Sequence, residues 1–282
     1  MKEILVCIDF SKSSINALKY AVLVANKLEC DILMVWVNKP DQSDSILDYE
    51  SPKLKMEMKD KFEELIEQYK NTLINGKITY KLRKGKVYQE IVNQAKYDDA
   101  YMIIAGTHGV SGFEEYWIGS NAYRIVTYAP CPVITVRQNF NIKDSIYKIV
   151  LPIDSTLETR QKVPFTAQVA KAFDAEIHLL ALYSSSMKTI KNKVDSYAKQ
   201  SAKFLIDEGV NCKIECIEAS NITNATIDYA TKIDADLISI MTEQETSASN
   251  IWLGTYAQQM VNHSPVPVLN IHPKELMHMF GK

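Results

Sequence analysis

The chain has 282 residues, of which 46% are hydrophobic and 23% charged. This is the composition of an ordinary globular protein, and the length suits two domains of about 140 residues each. The 32 basic and 34 acidic side chains leave a formal net charge of -2. Such a balance offers no overall attraction for nucleic acid or for an anionic membrane, so we expect neither as a partner.

Signals for targeting and redox environment point to a cytoplasmic protein. Asp9 ends the first apolar run too early for the apolar region of a signal peptide. No uninterrupted run of about 18 apolar residues follows, which argues against a membrane-spanning helix. The five cysteines form no Cys-x-x-Cys pair, which is typical of free thiols in a reducing compartment.

In the first half, short apolar runs alternate with segments of helical periodicity. The runs predict strands at residues 4–8, 32–37, 78–82, 102–105 and 133–136, of which 78–82 alternates like an edge strand. Apolar residues at helical spacing predict helices at residues 13–28, 53–73, 87–96 and 120–128. The alternation predicts an α/β fold, a doubly wound parallel sheet of the Rossmann-like class.

The second half repeats the landmarks of the first. Three segments correspond in the same order. Residues 4–9 correspond to residues 149–154, and Gly119-Ser120 corresponds to Gly254-Thr255. The Pro-x-Pro-Val segment near residue 130 corresponds to the one near residue 265. The interval between these landmarks is shorter in the second half, and the polar connection at residues 39–52 is the expected place of the difference. We predict tandem domains at residues 1–140 and 146–282, five strands each, joined by a short polar linker and packed together.

The second half gives its own predicted elements. Strands are expected at residues 149–153, 176–182, 212–217, 237–240 and 266–271. A helix is expected at residues 159–173, where Pro164 must lie in the first turn or kink the helix.

A long loop with several glycines, the glycine loop (residues 106–119), follows the fourth predicted strand. Glycine lets backbone N–H groups approach an anion closely. Gly119 and Ser120 then open a helix whose positive end favours a phosphate, and the Ser120 hydroxyl either caps that helix or donates to a phosphate oxygen. The alternative is that the glycines only turn the chain. Direct strand-to-helix connections usually take about two to six residues, however, and longer ones are usually functional.

The spacing of this loop resembles that of the nucleotide-binding, UspA-like members of the universal stress protein family. Gly106, two residues, Gly109, nine residues and Gly119-Ser120 match the family pattern completely. The resemblance extends to the strand-ending Asp9, to His108 before Gly109, and to the Pro-Cys-Pro-Val segment before the fifth strand. It covers essentially the whole chain, as the tandem two-domain form, whose domains resemble the adenine nucleotide α-hydrolase-like fold.

The resemblance implies ATP as the ligand, with Mg²⁺. It places the phosphates on the glycine loop and the adenosine against the ends of the first two strands. The ligand-binding residues that it implies are Asp9, Val37, Gly106, His108, Gly109, Gly119, Ser120 and Asn121. For Asp9 the alternative is a cap for the following helix, and for Val37 an ordinary buried strand residue. For His108 we favour bracing of the loop over catalysis, so no residue is assigned as catalytic or as a metal ligand.

The second half departs from this pattern. Met241 and Gln244 stand in place of Gly106 and Gly109, and Glu243 and Glu245 add carboxylates that would repel a triphosphate. Gly254-Thr255 is retained, which a helix cap alone would explain. We therefore expect the second half to bind no ATP and to pair with the first.

These observations favour an ATP-binding protein of the stress response, non-catalytic or weakly hydrolytic, whose nucleotide regulates a protein partner. No Walker-type lysine motif and no paired nucleophile and base are visible in the sequence. An adenylating enzyme is disfavoured because residues 10–14, after the first strand, contain no glycine. The alternatives that remain are an interaction module without nucleotide and a slow ATPase. The fused halves either replace a homodimer or leave the last strands of two chains free to pair.

Overall fold

A computed structural model describes residues 2–39, 52–107, 118–242, 244–247 and 250–273. The first half contains, in chain order, β1 (Lys2–Cys7), α1 (Lys12–Leu28), β2 (Cys30–Asn38), α2 (Pro52–Tyr69), β3 (Ile78–Lys84), α3 (Val87–Tyr97), β4 (Met102–Gly106), α4 (Ser120–Tyr128) and β5 (Val133–Val136). The second half contains β6 (Lys148–Ile153), a 3-10 helix (Glu158–Arg160), α5 (Val163–Phe173), β7 (Glu176–Tyr183), α6 (Lys188–Asp207), β8 (Cys212–Glu218), α7 (Ile222–Lys232), β9 (Leu237–Met241), β10 (Gln244–Ser247), β11 (Asn250–Leu253), α8 (Thr255–His263) and β12 (Val268–Ile271).

Ten strands form one sheet in the order β3-β2-β1-β4-β5-β12-β9-β6-β7-β8. Neighbouring strands within each half are parallel, and the halves meet where β5 and β12 run antiparallel, with Ile134 opposite Leu269. We call this β5–β12 contact the seam. The prediction of two doubly wound sheets with five strands each is confirmed, and the two sheets are continuous.

Helices cover both faces of the sheet, which explains why its central strands, unlike the edge strands β3 and β8, are largely apolar runs. Successive residues of β1 are buried on opposite faces: Leu5 belongs to the core under α3, α4, α7 and α8, and Val6 to the core under α1, α2, α5 and α6. Each core crosses the seam, since Leu179 of the second half shares a core with Val6. Among the described residues, the helices all lack the length or the apolar character needed to cross a bilayer.

Polar contacts fix the two halves against each other at the seam. Asn270 in β12 donates from Nδ2 to the carbonyl of Val133 at 3.1 Å. Arg137, which follows β5, donates from Nε to the carbonyl of Ser264 at 2.7 Å, beyond the end of α8. Asn16 of α1 donates from Nδ2 to the carbonyl of Arg137 at 2.9 Å and so holds the start of the linker. These contacts bind the second half to the strand and linker of the first.

Some predicted boundaries in the second half are wrong. The helix expected from residue 159 begins at Val163, because residues 158–160 form a separate 3-10 turn. Pro164 lies in the first turn of α5, where the absent N–H has no intrahelical partner to lose. The β10–β11 hairpin was not predicted. The expected place of the length difference is correct, since only residues 184–187 separate β7 from α6, whereas residues 39–51 separate β2 from α2.

Candidate functional site

A cavity of about 390 Å³ lies at the carboxyl ends of β1, β2 and β4. The sheet order reverses there, because β2 lies on one side of β1 and β4 on the other. Ligands of open parallel sheets bind at such a reversal. Its lining combines apolar side chains from β1, β2, α3 and α4 with the polar residues Asp9, Ser14, Thr107, Ser120 and Asn121.

The structure brings most of the predicted ligand-binding residues together around this cavity. Those that line it are Asp9, Val37, Gly106, Gly119, Ser120 and Asn121. His108 and Gly109 lie outside the described residues. Trp36 and Lys39 also line the cavity, although the sequence analysis did not predict them as ligand-binding residues. The signal that could have found them is their position at the carboxyl end of the second strand, beside Val37.

Asp9 organises the turn between β1 and α1. Its Oδ1 accepts the N–H of Ser11 at 3.0 Å, and its own N–H donates to Ser14 Oγ at 3.3 Å. The cap of α1 is Ser11, whose Oγ accepts the N–H of Ser14 at 3.2 Å. The alternative that Asp9 caps this helix is therefore wrong. Phe10 takes a φ of 61° within the turn, and the carboxylate of Asp9 remains at the cavity.

Gly106 ends β4 where the strand passes closest to α1. A Cβ at this position would lie 2.4 Å from Ser13 Oγ and 2.8 Å from the Ser13 carbonyl oxygen. Neither Gly106 nor Gly119 has a positive φ, so conformational freedom does not explain them. Gly106 is required by the lack of space, a reason that differs from the one predicted.

Helix α4 begins at the cavity with a glycine cap. Gly119 is the N-cap, and its N–H donates to the carbonyl of Thr107 at 2.7 Å, which brings the two ends of the glycine loop together. Ser120 is the first helical residue and is exposed, so the prediction that it caps the helix is wrong. The first N–H groups of a helix have no intrahelical partner and carry its positive partial charge. Here they belong to residues 120–122, all of which line the cavity.

Few ionisable groups face this space among the described residues. Asp9 and Lys39 are the charged residues of the lining. Burial, with a smaller contribution from the carboxylate of Asp9, raises the pKa of Cys7 far above its usual range. The Cys7 thiol is therefore protonated at neutral pH and is a poor nucleophile.

The second half repeats part of this site. Asp154 repeats the turn of Asp9, with Oδ1 accepting the N–H of Thr156 at 2.8 Å and its N–H donating to Thr159 Oγ1 at 3.2 Å. Met241, however, stands in place of Gly106 and is only 5% exposed. Gly254 is buried as well, whereas Gly106 and Gly119 of the first half are partly exposed.

Two further observations concern the retained Gly254-Thr255 pair and Lys162 of the second half. Gly254 is the N-cap of α8, so helix capping explains the retained glycine, whereas Thr255 is the first helical residue and not the cap. Lys162, which the sequence prediction did not single out, is 2% exposed and donates from Nζ to the carbonyl of Thr159 at 2.6 Å. The ammonium group thus lies inside the protein beneath the turn that follows β6.

Fold and cavity together define a tandem doubly wound α/β protein with a crevice where the sheet order of its first half reverses. The chain belongs to the universal stress protein family, which matches residues 1–137 and 146–272. The predicted family and its tandem form are confirmed.

Individual relatives agree with this assignment. The chain is 28% identical over 140 residues to the universal stress protein MJ0531 of Methanocaldococcus jannaschii, a match covering 49% of this chain and 82% of that protein. It is 24% identical over 147 residues to the universal stress protein YxiE of Bacillus subtilis, covering 48% of this chain and 98% of the relative. A crystal structure of a universal stress protein from Archaeoglobus fulgidus has the same fold, with a TM-score of 0.78 at 16% identity over 96% of this chain and 98% of that one.

Proposed function

We propose that the first half binds ATP and that the bound nucleotide regulates the association of this protein with a protein partner in a stress response. The observation that carries the proposal is the cavity at the glycine-capped start of α4. Its volume is within the range of about 300–1,000 Å³ typical of small-molecule sites. A helix start without a capping side chain favours an anionic group.

The lining suits the three parts of a nucleotide. Apolar residues of β2 and α3, including Val37, Val87 and Ile91, offer a surface for the base. The carboxylate of Asp9 can accept hydrogen bonds from ribose hydroxyls. The N–H groups of residues 120–122 and the Ser120 hydroxyl can donate to phosphate oxygens. Mg²⁺ would be held chiefly by the phosphates, because the described residues contain no cluster of three side chains suited to a metal ion.

We assign this site a binding role, with hydrolysis slow at most. The Cys7 thiol is neutral, and Asp9 already accepts a backbone hydrogen bond. A catalytic base within hydrogen-bonding reach of an attacking water would be needed for efficient hydrolysis. The bracing role of His108 stays a prediction. The second half, in which Met241 replaces Gly106, is assigned to pairing with the first.

The test uses the equivalent residues of the two halves. Isothermal titration calorimetry with ATP and Mg²⁺ on nucleotide-stripped protein measures stoichiometry and affinity for the wild type, Ser120→Asp and Thr255→Asp. Both substitutions place a carboxylate at the first position of a helix, where it stabilises the helix by about 0.3–1 kcal/mol. Ser120→Asp should nevertheless weaken ATP binding at least tenfold, because like charges a few ångströms apart repel by several kcal/mol when poorly screened.

The expected result is one ATP per chain, with the affinity lost in Ser120→Asp and unchanged in Thr255→Asp. Two ATP per chain, one of them lost in each variant, would show that the second crevice also binds. Absence of binding in the wild type would refute the proposal and favour an interaction module without nucleotide. Phosphate release measured on the same samples separates pure binding from slow hydrolysis.

A further inference from the structure

The second half reaches the base of the glycine loop through one buried side chain. Asn262 lies at the end of α8 and is 3% exposed. Its Oδ1 accepts a hydrogen bond from the N–H of Ile118 at 3.1 Å. Ile118 immediately precedes Gly119, the residue that caps α4 at the cavity. A side chain of the second half therefore holds the exit of the loop to which we assign the nucleotide phosphates.

The first half in turn holds Asn262. Arg137 donates from Nη2 to the backbone carbonyl of Asn262. The residue before it, Val136, accepts the N–H of Thr107 at 3.1 Å, and Thr107 accepts the N–H of Gly119 at 2.7 Å. Together with the bond from Ile118, these contacts form a closed ring that joins both ends of the glycine loop to the end of α8. The backbone of α4 also packs against β11 of the second half.

We propose that Asn262 is a positioning residue for the nucleotide site. Its amide oxygen fixes the exit of the glycine loop, and with it the direction in which the first N–H groups of α4 face the cavity. The proposal rests on the proposed function, since it assigns a role toward the nucleotide of that site. It explains how the second half contributes to binding in the first. Because energetic coupling is reciprocal, bound ATP should slow hydrogen exchange in α8.

The experiment compares full-length variants by amide hydrogen exchange and by ATP titration. Asn262→Leu keeps a similar size but leaves the Ile118 N–H without its acceptor, and Asn262→Asp retains an acceptor oxygen. Thr166→Val is the matched control, because it removes a fully buried hydroxyl of α5, which covers the opposite face of the sheet. We expect the Ile118 amide to exchange about tenfold faster in Asn262→Leu and at near the wild-type rate in Asn262→Asp and Thr166→Val.

The ATP titrations add the functional readout. The dissociation constant should rise about threefold to tenfold in Asn262→Leu and stay unchanged in Thr166→Val, even if both lower the melting temperature. Faster exchange at Ile118 with unchanged ATP affinity would overturn the positioning role while leaving the contact real. Unchanged exchange would overturn the contact itself. If the wild type binds no ATP, the proposed function fails separately, and the exchange rates alone decide whether Asn262 fixes the loop exit.

Discussion

Replacing Gly106 by alanine tests why glycine ends β4. The added Cβ would lie 2.4 Å from Ser13 Oγ, 2.8 Å from the Ser13 carbonyl carbon and 2.8 Å from its oxygen. Ordinary contacts of a Cβ begin at about 3.4 Å, so α1 or β4 must move by more than half an ångström. Overpacking of a well-packed site costs about 1–3 kcal/mol. We expect Gly106→Ala to lose that amount of stability, or roughly 2–4 °C in melting temperature per kcal/mol.

The assay is urea denaturation followed by circular dichroism, with the midpoint as the readout. A double variant, Ser13→Ala with Gly106→Ala, separates the two parts of the clash. It relieves the contact with the hydroxyl but leaves the contacts with the Ser13 backbone, so it should recover only part of the loss beyond the effect of Ser13→Ala alone. A wild-type midpoint for Gly106→Ala would refute the steric argument. Full recovery in the double variant would show that the hydroxyl alone sets the limit.

Two further predictions concern buried side chains of the second half. Met241→Ala should lower the free energy of unfolding by about 2–5 kcal/mol, because it opens a cavity in the core at the position where the first half has a glycine. Calorimetry should show unchanged ATP stoichiometry if the second half binds no ATP. Burial lowers the pKa of His272 to about 4 from about 6.5. Between these values the unfolded chain binds a proton that the folded chain does not, so stability should fall as the pH drops from 6.5 to 4, by up to about 3 kcal/mol from this residue. Across that pH range, the urea midpoint of His272→Gln should change less steeply with pH than that of the wild type. Some pH dependence should remain, because burial also lowers the pKa of His178. An unchanged pH dependence in His272→Gln would count against a role of His272.

The sheet was predictable because its central strands are buried on both faces. Residues 102–105 are apolar and residues 133–136 are apolar except for Thr135, and short runs of this length are consistent with buried strands. The site was predictable in outline because the carboxyl ends of parallel strands meet at one edge, so Asp9 and the glycine loop had to lie close together. The family resemblance supplied the particular residues, such as Val37 and Asn121, which no periodicity would select.

The features that were missed depend on contacts between distant segments. Gly106 faces Ser13 across about ninety residues of chain, and no local signal shows that the two meet. The sequence offered Ser120 either as the cap of α4 or as a phosphate donor because serine is a common cap, whereas glycine, which is also tolerated there, takes the cap position. Between the strands β10 and β11 the sequence has only Ala248 and Ser249, without the glycine that usually marks a hairpin.

The two halves show why a duplicated domain can lose its glycine-loop pattern and still keep its fold. Residues of β5 are fully buried between β4 and β12. Without β12, the apolar strand Val133–Val136 would become an exposed edge, which is a template for aggregation. The second half must therefore retain its sheet, its last strand and the α8 contacts to Arg137, whereas nothing in this role requires an open crevice. Met241 adds a buried side chain to the core at the position of Gly106, so divergence there strengthens the half that supports the site while the first half keeps Gly106 and its cavity.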